Sequence, residues 1–229
     1  MHQKNLKINS LPLVFISSFI FLCTISFGQA IQKNSEVKIG KQTWMSKNLN
    51  VDKFRNGEVI QEAKTEDDWE KAGENKKPVW CYYNNDPSNG IKYGKLYNWY
   101  AVNDPRGLAP AGWHVPSEAE WTTLTNFLGG VSVAGKKIKS KEGWKDNGNG
   151  TNEFNFSGLP GGRRQETTWN GLGDFMQIGT DGWWWSATEI DLLGTYYSVY
   201  AFRLMKTRNF AGAGGSGKRE GMSVRCIKN

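Results

Sequence analysis

The fold is decided by the stretch GWHVPSEAEW, residues 112–121, which has the pattern of a strand end that turns directly into a capped helix. The Ser117 hydroxyl can accept a hydrogen bond from the backbone N–H of Glu120. The Glu120 carboxylate can in turn accept one from the N–H of Ser117, which forms a capping box. We therefore predict a helix that begins just after Ser117.

The residues after the cap continue a helical pattern. Trp121, Leu124 and Leu128 recur at spacings of three and four, and Gly129-Gly130 supplies a left-handed exit. The spacing predicts a helix of about three turns, whose indole must lie on a broad aromatic surface. We expect Trp113, next to the cap, to share that structural role.

His114 is the only histidine outside the first 28 residues. A zinc site needs several His or Cys ligands, and a Ser-His-Asp triad needs a histidine near a nucleophile. We therefore expect His114 to make a structural hydrogen bond in the aromatic cluster, and we predict no metal site and no cofactor. The loop at residues 146–152 lacks the oxygen spacing of a calcium site.

The rest of the chain predicts one more helix and many strands. Thr65 and Asp68 form a second capping box, with Trp69 and Ala72 as the inner face of a short helix. Alternation of apolar and polar residues is typical of strands at residues 37–45, 78–83, 154–159, 196–205 and 222–226, and the chain beyond Gly130 is glycine-rich and strand-like. This pattern predicts one α+β domain, with two short helices packed on mixed, mostly antiparallel sheets with long loops.

Several segments, taken together, resemble the Fibrobacter succinogenes major paralogous domain, a family of secreted bacterial domains. They are YGKLYNWYAV (93–102), LAPAGWHVPSEAEW (108–121), FNFSGLPGGRR (154–164), WWWSATE (183–189) and GMSVRCIKN (221–229). The resemblance covers residues 37–229. It implies a distant likeness to the formylglycine-generating-enzyme and C-type-lectin fold, hence a C-type-lectin-like domain, and it implies no particular reaction.

The N-terminus has the features of a signal peptide. Lys4 and Lys7 precede an apolar run from Leu11 to Phe27, and small residues allow cleavage after Gly28 or after Ala30. We assign residues 1–28 to the signal and 29–36 to a short linker, with lipidation at Cys23 or a retained membrane anchor as alternatives. The expectation is an exported protein, extracellular, on the outer cell surface or periplasmic, without a transmembrane segment after processing.

The charge of the chain bears on its binding partners, and its cysteines bear on a disulfide. The formal charge of +7 falls to +5 without the signal, and the cluster Lys136, Lys137, Lys139 and Lys141 has the spacing of the solvated face of a strand or loop. We therefore expect no nucleic-acid partner. The two remaining cysteines, Cys81 and Cys226, predict a disulfide in an exported chain.

Tryptophan is abundant, with 11 in the chain, and three stand together at 183–185. Successive side chains of a strand point to opposite faces, so either Trp184 or the pair Trp183 and Trp185 should face outward or into a cleft. The alternative, equally weighted, is that a loop such as residues 209–221 covers them as a second small core.

The preferred function is a secreted or cell-surface binding module for a glycan or an extracellular protein, with no catalysis expected. The candidate ligand-binding residues, which lie around the glycine loop before Met222, are Trp169, Asn170, Trp183, Trp184, Trp185, Arg163 and Arg164. One alternative is an extracellular carbohydrate-active enzyme, since Asp174, Asp181, Glu189 and Asp191 lie near the aromatic strands. Another alternative is a structural subunit of a surface assembly.

Overall fold

The computed structural model describes residues 36–166, 174–190 and 198–229, which belong to one compact unit, Lys33–Asn229. The described helices are α1 (Glu66–Glu74), α2 (Pro87–Tyr93), α3 (Trp99–Val102), α4 (Glu118–Phe127) and α5 (Val131–Ile138), with a 3-10 turn at Tyr83–Asn85. The described strands are β1 (Glu36–Ile39), β2 (Gln42–Met45), β3 (Gln61–Glu62), β4 (Val79–Cys81), β5 (Leu96–Tyr97), β6 (Trp113–His114), β7 (Gly161–Arg164), β8 (Phe175–Ile178), β9 (Asp181–Glu189), β10 (Val199–Met205), β11 (Ala211–Ser216) and β12 (Ile227–Lys228). The predicted signal peptide lies outside the described residues.

The strands form three sheets. A four-stranded sheet has the order β1-β2-β12-β6, a five-stranded sheet the order β11-β10-β9-β7-β8, and a three-stranded sheet the order β3-β4-β5. All pairings between these strands are antiparallel except β3 with β4 and β7 with β9. This confirms an α+β domain with mixed, mostly antiparallel sheets.

The helix predicted from residues 112–121 is α4. Its cap is a complete capping box: the Ser117 hydroxyl accepts from the Glu120 N–H, and the Glu120 carboxylate accepts from the Ser117 N–H at 2.8 Å. Trp113 and His114 form β6 just before it, and Gly129 and Gly130 leave the helix with φ values of 99° and 97°. The local prediction is therefore confirmed, and α4 lies against β9, β10 and β11.

The second predicted helix is α1, which has the Thr65–Asp68 capping box and buries Trp69 and Ala72. The prediction of only two helices is wrong, because the described residues contain five. Helix α2 follows a run of turn formers, where Asp86 caps the Ser88 N–H and Pro87 begins the helix. Helix α5 occupies glycine-rich sequence that has a strand-like composition but buries Ala134 and Ile138 at helical spacing.

The five-stranded sheet carries a hydrophobic core on each face. On one face, Trp184 and Phe202 join Trp121 and Leu124 of α4. On the other face, Trp183 and Trp185 join a cluster that includes Trp80, Tyr97, Trp99 and Cys226. A third, smaller cluster lies under α1 around Trp69 and Cys81. The central sheet is thus covered on both sides, and this decides what its tryptophans can do.

The lysine cluster does not form the fully solvated face that its spacing predicts. Lys136 and Lys137 lie in the last turn of α5, but Lys139 is buried. Its ammonium group donates to the backbone carbonyls of Met205 at 3.1 Å and Arg208 at 3.3 Å. Burial lowers the pKa of Lys139 to about 8. This side chain ties α5 to the turn after β10, a role that charge spacing alone does not reveal.

The predicted disulfide is absent from the structure, where Cys81 and Cys226 are both free and buried. Successive side chains of β4 point to opposite faces. Trp80 therefore faces the cluster that contains Cys226, and Cys81 faces the cluster under α1. The two thiols lie on different sides of the three-stranded sheet, and no disulfide can join them in this fold.

The two thiols should be unreactive in the folded domain. Burial raises the pKa of Cys81 to about 11 and that of Cys226 to about 12. At about pH 8 only about one in a thousand Cys81 thiols is then ionised. Burial also keeps a labelling reagent from reaching the sulfur. In a thiol-labelling assay without reductant, we expect residues 37–229 to react only after denaturation, with both cysteines. A denatured chain that still fails to react would show that the two cysteines are joined by a disulfide after all.

Candidate functional site

The three adjacent tryptophans are buried, and none faces outward. Trp184 and Trp185 are fully buried, and Trp183 is 9% exposed. The Trp184 indole donates to the Asn48 side-chain oxygen at 2.8 Å, and the Trp185 indole donates to the Tyr97 carbonyl at 2.6 Å. The expectation of an outward-facing indole at 183–185 is therefore wrong, because β9 lies inside the five-stranded sheet with a core on each face. The alternative of a second core is correct, but the segment at 209–221 is not the covering loop that we expected, because residues 211–216 form β11 of the same sheet.

Arg163, one of the predicted ligand-binding residues, contacts Trp183 in a cluster whose indole is buried and whose arginines are partly exposed. Its guanidinium lies 4.4 Å from the centre of the Trp183 indole, and that of Arg203 lies 4.6 Å from it. Arg163 also forms an ion pair with Glu220 of the glycine loop at 2.5 Å. Burial raises the pKa of Glu220, although the charge of Arg163 opposes the shift. The structure thus brings Arg163, Trp183 and the glycine loop together, with their charges already paired.

Arg164 points away from that cluster and is 1% exposed. Its guanidinium lies between the rings of Trp69 at 4.8 Å and Phe175 at 4.9 Å, and it donates weakly to the Thr65 carbonyl at 3.4 Å. Arg163 and Arg164 therefore do not act on one ligand. Trp169 and Asn170 lie outside the described residues, as does Asp191.

The five-stranded sheet also has a cleft lined by aromatic rings, on the face that carries Trp184 and Phe202. It lies between α4, the start of α5 and strands β10 and β11, and its volume is about 290 Å³. We call it the aromatic cleft. It is lined by Glu118, Trp121, Thr122, Thr125, Val131, Tyr200, Phe202, Phe210, Gly212 and Ala213.

Strand alternation and one glycine explain why the aromatic rings lie together in this cleft. Trp121 and Phe202 form the floor as a stacked pair, with centroids 4.2 Å apart and planes 6° from parallel. Tyr200 stands two residues before Phe202 on β10 and so shares its face. Phe210 lies over Gly212, where an added Cβ would be 2.6 Å from the ring. A larger residue at 212 would therefore displace Phe210.

Most polar groups of the cleft lie along α4, where Glu118 stands in the first turn and Thr122 and Thr125 follow it. The Glu118 carboxylate accepts from the Thr122 hydroxyl at 2.7 Å through Oε1. The Glu118 backbone N–H donates to the Thr188 hydroxyl at 3.0 Å. Among the described residues, no Lys or Arg forms an ion pair with Glu118. The cleft therefore combines apolar rings with an unpaired carboxylate.

A larger groove of about 850 Å³ runs between α1 and β3. Its lining is charged, but Lys71 is paired with Asp67 at 2.7 Å, and Arg106 with Glu58 at 2.6 Å. The described residues that line this groove include no aromatic ring. It resembles a solvated charged surface more than a ligand pocket.

His114 makes hydrogen bonds at the cap of α4 and the C-terminus, and not inside the aromatic cluster as we expected. Its Nε2 lies 2.8 Å from Glu120 Oε1, and its Nδ1 lies 2.7 Å from Asn229 Oδ1. Burial opposes ionisation of Glu120, but hydrogen bonds from Ser117 and His114 hold the pKa of this carboxyl below its usual value. His114 thus braces the cap of α4 against the C-terminus. In the described part of the chain, no group of three or more His, Cys, Asp or Glu could hold a metal ion.

Comparison with known proteins gives a family but no function. The model of the Fibrobacter succinogenes major domain matches residues 37–228. No curated protein and no solved structure matches the chain. Within the described residues, every helix is too short or too polar to cross a membrane. The chain belongs to the Fibrobacter succinogenes major domain family.

Proposed function

We propose that this protein is an exported binding module with a C-type-lectin-like fold, and that it holds a carbohydrate in the aromatic cleft. The fold proposal is supported by the pairing of the terminal strands, since Ile227 of β12 bridges Trp44 of β2 and His114 of β6. Export is supported by the signal-like pattern at residues 1–28.

The observation that carries the carbohydrate proposal is the combination of ring faces and oxygen acceptors in one cleft. A sugar presents an apolar C–H face and a rim of hydroxyl donors. Tyr200 and Phe210 offer partly exposed rings, and Glu118 and Thr122 offer oxygens at the same cleft. Both rings offer a large apolar face, and the Tyr200 ring also carries a hydroxyl group. The cleft lies near the lower end of the usual range for ligand pockets, about 300–1,000 Å³, which suits a single sugar ring.

Binding fits the site better than hydrolysis does. Glycoside hydrolysis requires two carboxyl groups that flank the scissile bond. Among the described residues that line the cleft, Glu118 is the only carboxylate. The proposed function therefore has no catalytic step.

Removing either exposed ring should weaken sugar binding. We expect Tyr200→Ala and Phe210→Ala each to lower affinity by about five- to thirtyfold, because stacking and burial of one ring face contribute about 1–2 kcal/mol. The measurement is titration calorimetry with a sugar selected on a glycan array. Tyr100→Ala, a partly buried tyrosine outside the cleft lining, is the matched control.

Two results would count against the proposal. The first is a folded wild-type chain that retains no sugar on the array. The second is unchanged affinity in folded Tyr200→Ala and Phe210→Ala variants, which would remove the cleft from the site.

A further inference from the structure

We infer that Glu118 makes the aromatic cleft selective by charge, so that it accepts neutral and amino sugars and rejects uronic acids. This inference rests on the proposed carbohydrate function. It adds a ligand class and names the residue that sets it.

The described residues that line the cleft carry a single formal charge, that of Glu118. Apart from Glu118, the described lining residues are aromatic, small, aliphatic or hydroxyl-bearing. Thr122 hydrogen-bonds one carboxylate oxygen, but a hydroxyl does not neutralise the charge. Because the floor of Trp121 and Phe202 is fully buried and apolar, the charge of Glu118 is screened less than on an open surface.

A helix N-terminus attracts anions, and free N–H groups at the start of α4 would favour acidic sugars. Its N–H groups are partly occupied, however. The Glu118 N–H donates to Thr188, and the Glu120 N–H donates to Ser117. Glu118 itself also stands in the first turn and occupies the favourable position for negative charge. A second carboxylate in the cleft would therefore meet repulsion without a donor pair to hold it.

A sugar hydroxyl or ammonium group is attracted to Glu118, whereas a sugar carboxylate is repelled by it. The Glu118 carboxylate can accept hydrogen bonds from two neighbouring hydroxyls, and it attracts an ammonium group directly. The sugar ring would meanwhile lie on Tyr200 and Phe210. The expected order of affinity is amino sugar, then neutral sugar, then uronic acid.

The test uses three methyl glycosides of one ring configuration: glucoside, glucosaminide and glucuronide, with the galacto series in parallel. For the mature chain at low ionic strength, we expect the glucuronide to bind at least about tenfold more weakly than the glucoside. Glu118→Gln should reduce that ratio to less than about threefold and should remove the preference for the amino sugar. Glu118→Asp should keep the discrimination. Glu70→Gln, which removes the same charge from α1, is the matched control.

A measurement on the unaltered chain makes the test independent of variant folding. Raising the salt concentration should shrink the glucoside-to-glucuronide ratio, because added ions screen Glu118. Equal binding of glucoside and glucuronide at low salt, with sensitivity to Tyr200→Ala retained, would overturn charge selection while the proposed function stands. If no glycoside of either series binds and the array is also empty, the proposed function fails with it.

Discussion

Replacing Asn48 with alanine is expected to lower the free energy of unfolding by about 4 kcal/mol, because it removes the acceptor of two of the three nitrogens of the buried Arg225 guanidinium. Arg225 is fully buried and faces no carboxylate partner among the described residues. The Asn48 side-chain oxygen accepts from Arg225 Nε at 3.1 Å and Nη2 at 2.6 Å. The Nη1 group donates instead to the backbone carbonyls of Met45 at 3.2 Å and Phe156 at 2.5 Å. Asn48 therefore compensates the Nε and Nη2 side of the charge.

The same amide connects distant parts of the fold. Its oxygen also accepts from the Trp184 indole, and its nitrogen donates to the Tyr93 carbonyl at 2.8 Å and the Ser223 hydroxyl at 3.2 Å. Burial lowers the pKa of Arg225 to about 9, so the guanidinium remains charged at neutral pH. An unsatisfied buried donor costs about 1–3 kcal/mol, and a charged one costs more.

A double-mutant cycle separates the charge from the rest of the contact. In an Arg225→Met background there is no buried charge, so we expect Asn48→Ala to cost about 2 kcal/mol less there than in the wild type. The measurement is urea unfolding followed by tryptophan fluorescence, with the slope checked for two-state behaviour. Asn75→Ala, which removes one exposed hydrogen bond to Lys71, is the control and should have a small effect. Additive costs would show that Asn48 does not act through Arg225.

The sequence patterns that were predicted correctly are those fixed by local geometry. A capping box needs only Ser117 and Glu120, or Thr65 and Asp68, three residues apart, and both boxes are present. Strand alternation around Tyr200 and Phe202 was equally local. These motifs place the ends of elements but do not say which face of an element a neighbour will cover.

The wrong predictions depend on that missing information. Whether Trp184 faces solvent depends on α4 lying across β9, which is a tertiary contact. The disulfide prediction is wrong for a related reason, because Cys81 and Cys226 lie on different sides of the three-stranded sheet. An even cysteine count fixes neither distance nor direction.

The aromatic cleft was missed because its parts are far apart in sequence. Glu118 and Thr122 come from α4, Tyr200 from β10, and Phe210 from the turn before β11. The available signals were weak: Tyr200 on an alternating strand, and a lone Phe210 two residues before Gly212. Only the packing of the helix on the sheet shows that they meet.

Alanine substitutions in the tryptophan run at 183–185 should give the second large loss of stability. We expect that loss to differ between Trp184 and Trp183. We expect Trp184→Ala to cost about 4 kcal/mol, as for other large aromatic residues deleted from a core. Its ring packs beside Phe156 and Phe202, and an added Cβ at Gly182 would lie 2.3 Å from it. No neighbour can move to fill so large a space without breaking these contacts.

Trp183→Ala should cost only about half as much, because its surroundings can relax. Arg163 and Arg203, which lie beside its ring, have their own carboxylate partners and are partly exposed. Once the ring is gone, both guanidinium groups can reach water. Urea unfolding of the two alanine variants measures the difference, which we expect to be about 2 kcal/mol. Sugar retention by Trp184→Phe should be unchanged, since Trp184 lines no part of the cleft. A Trp184→Ala chain that unfolds at the wild-type urea concentration yet loses sugar would instead make this indole a ligand contact, and the sealed core described for β9 would be wrong.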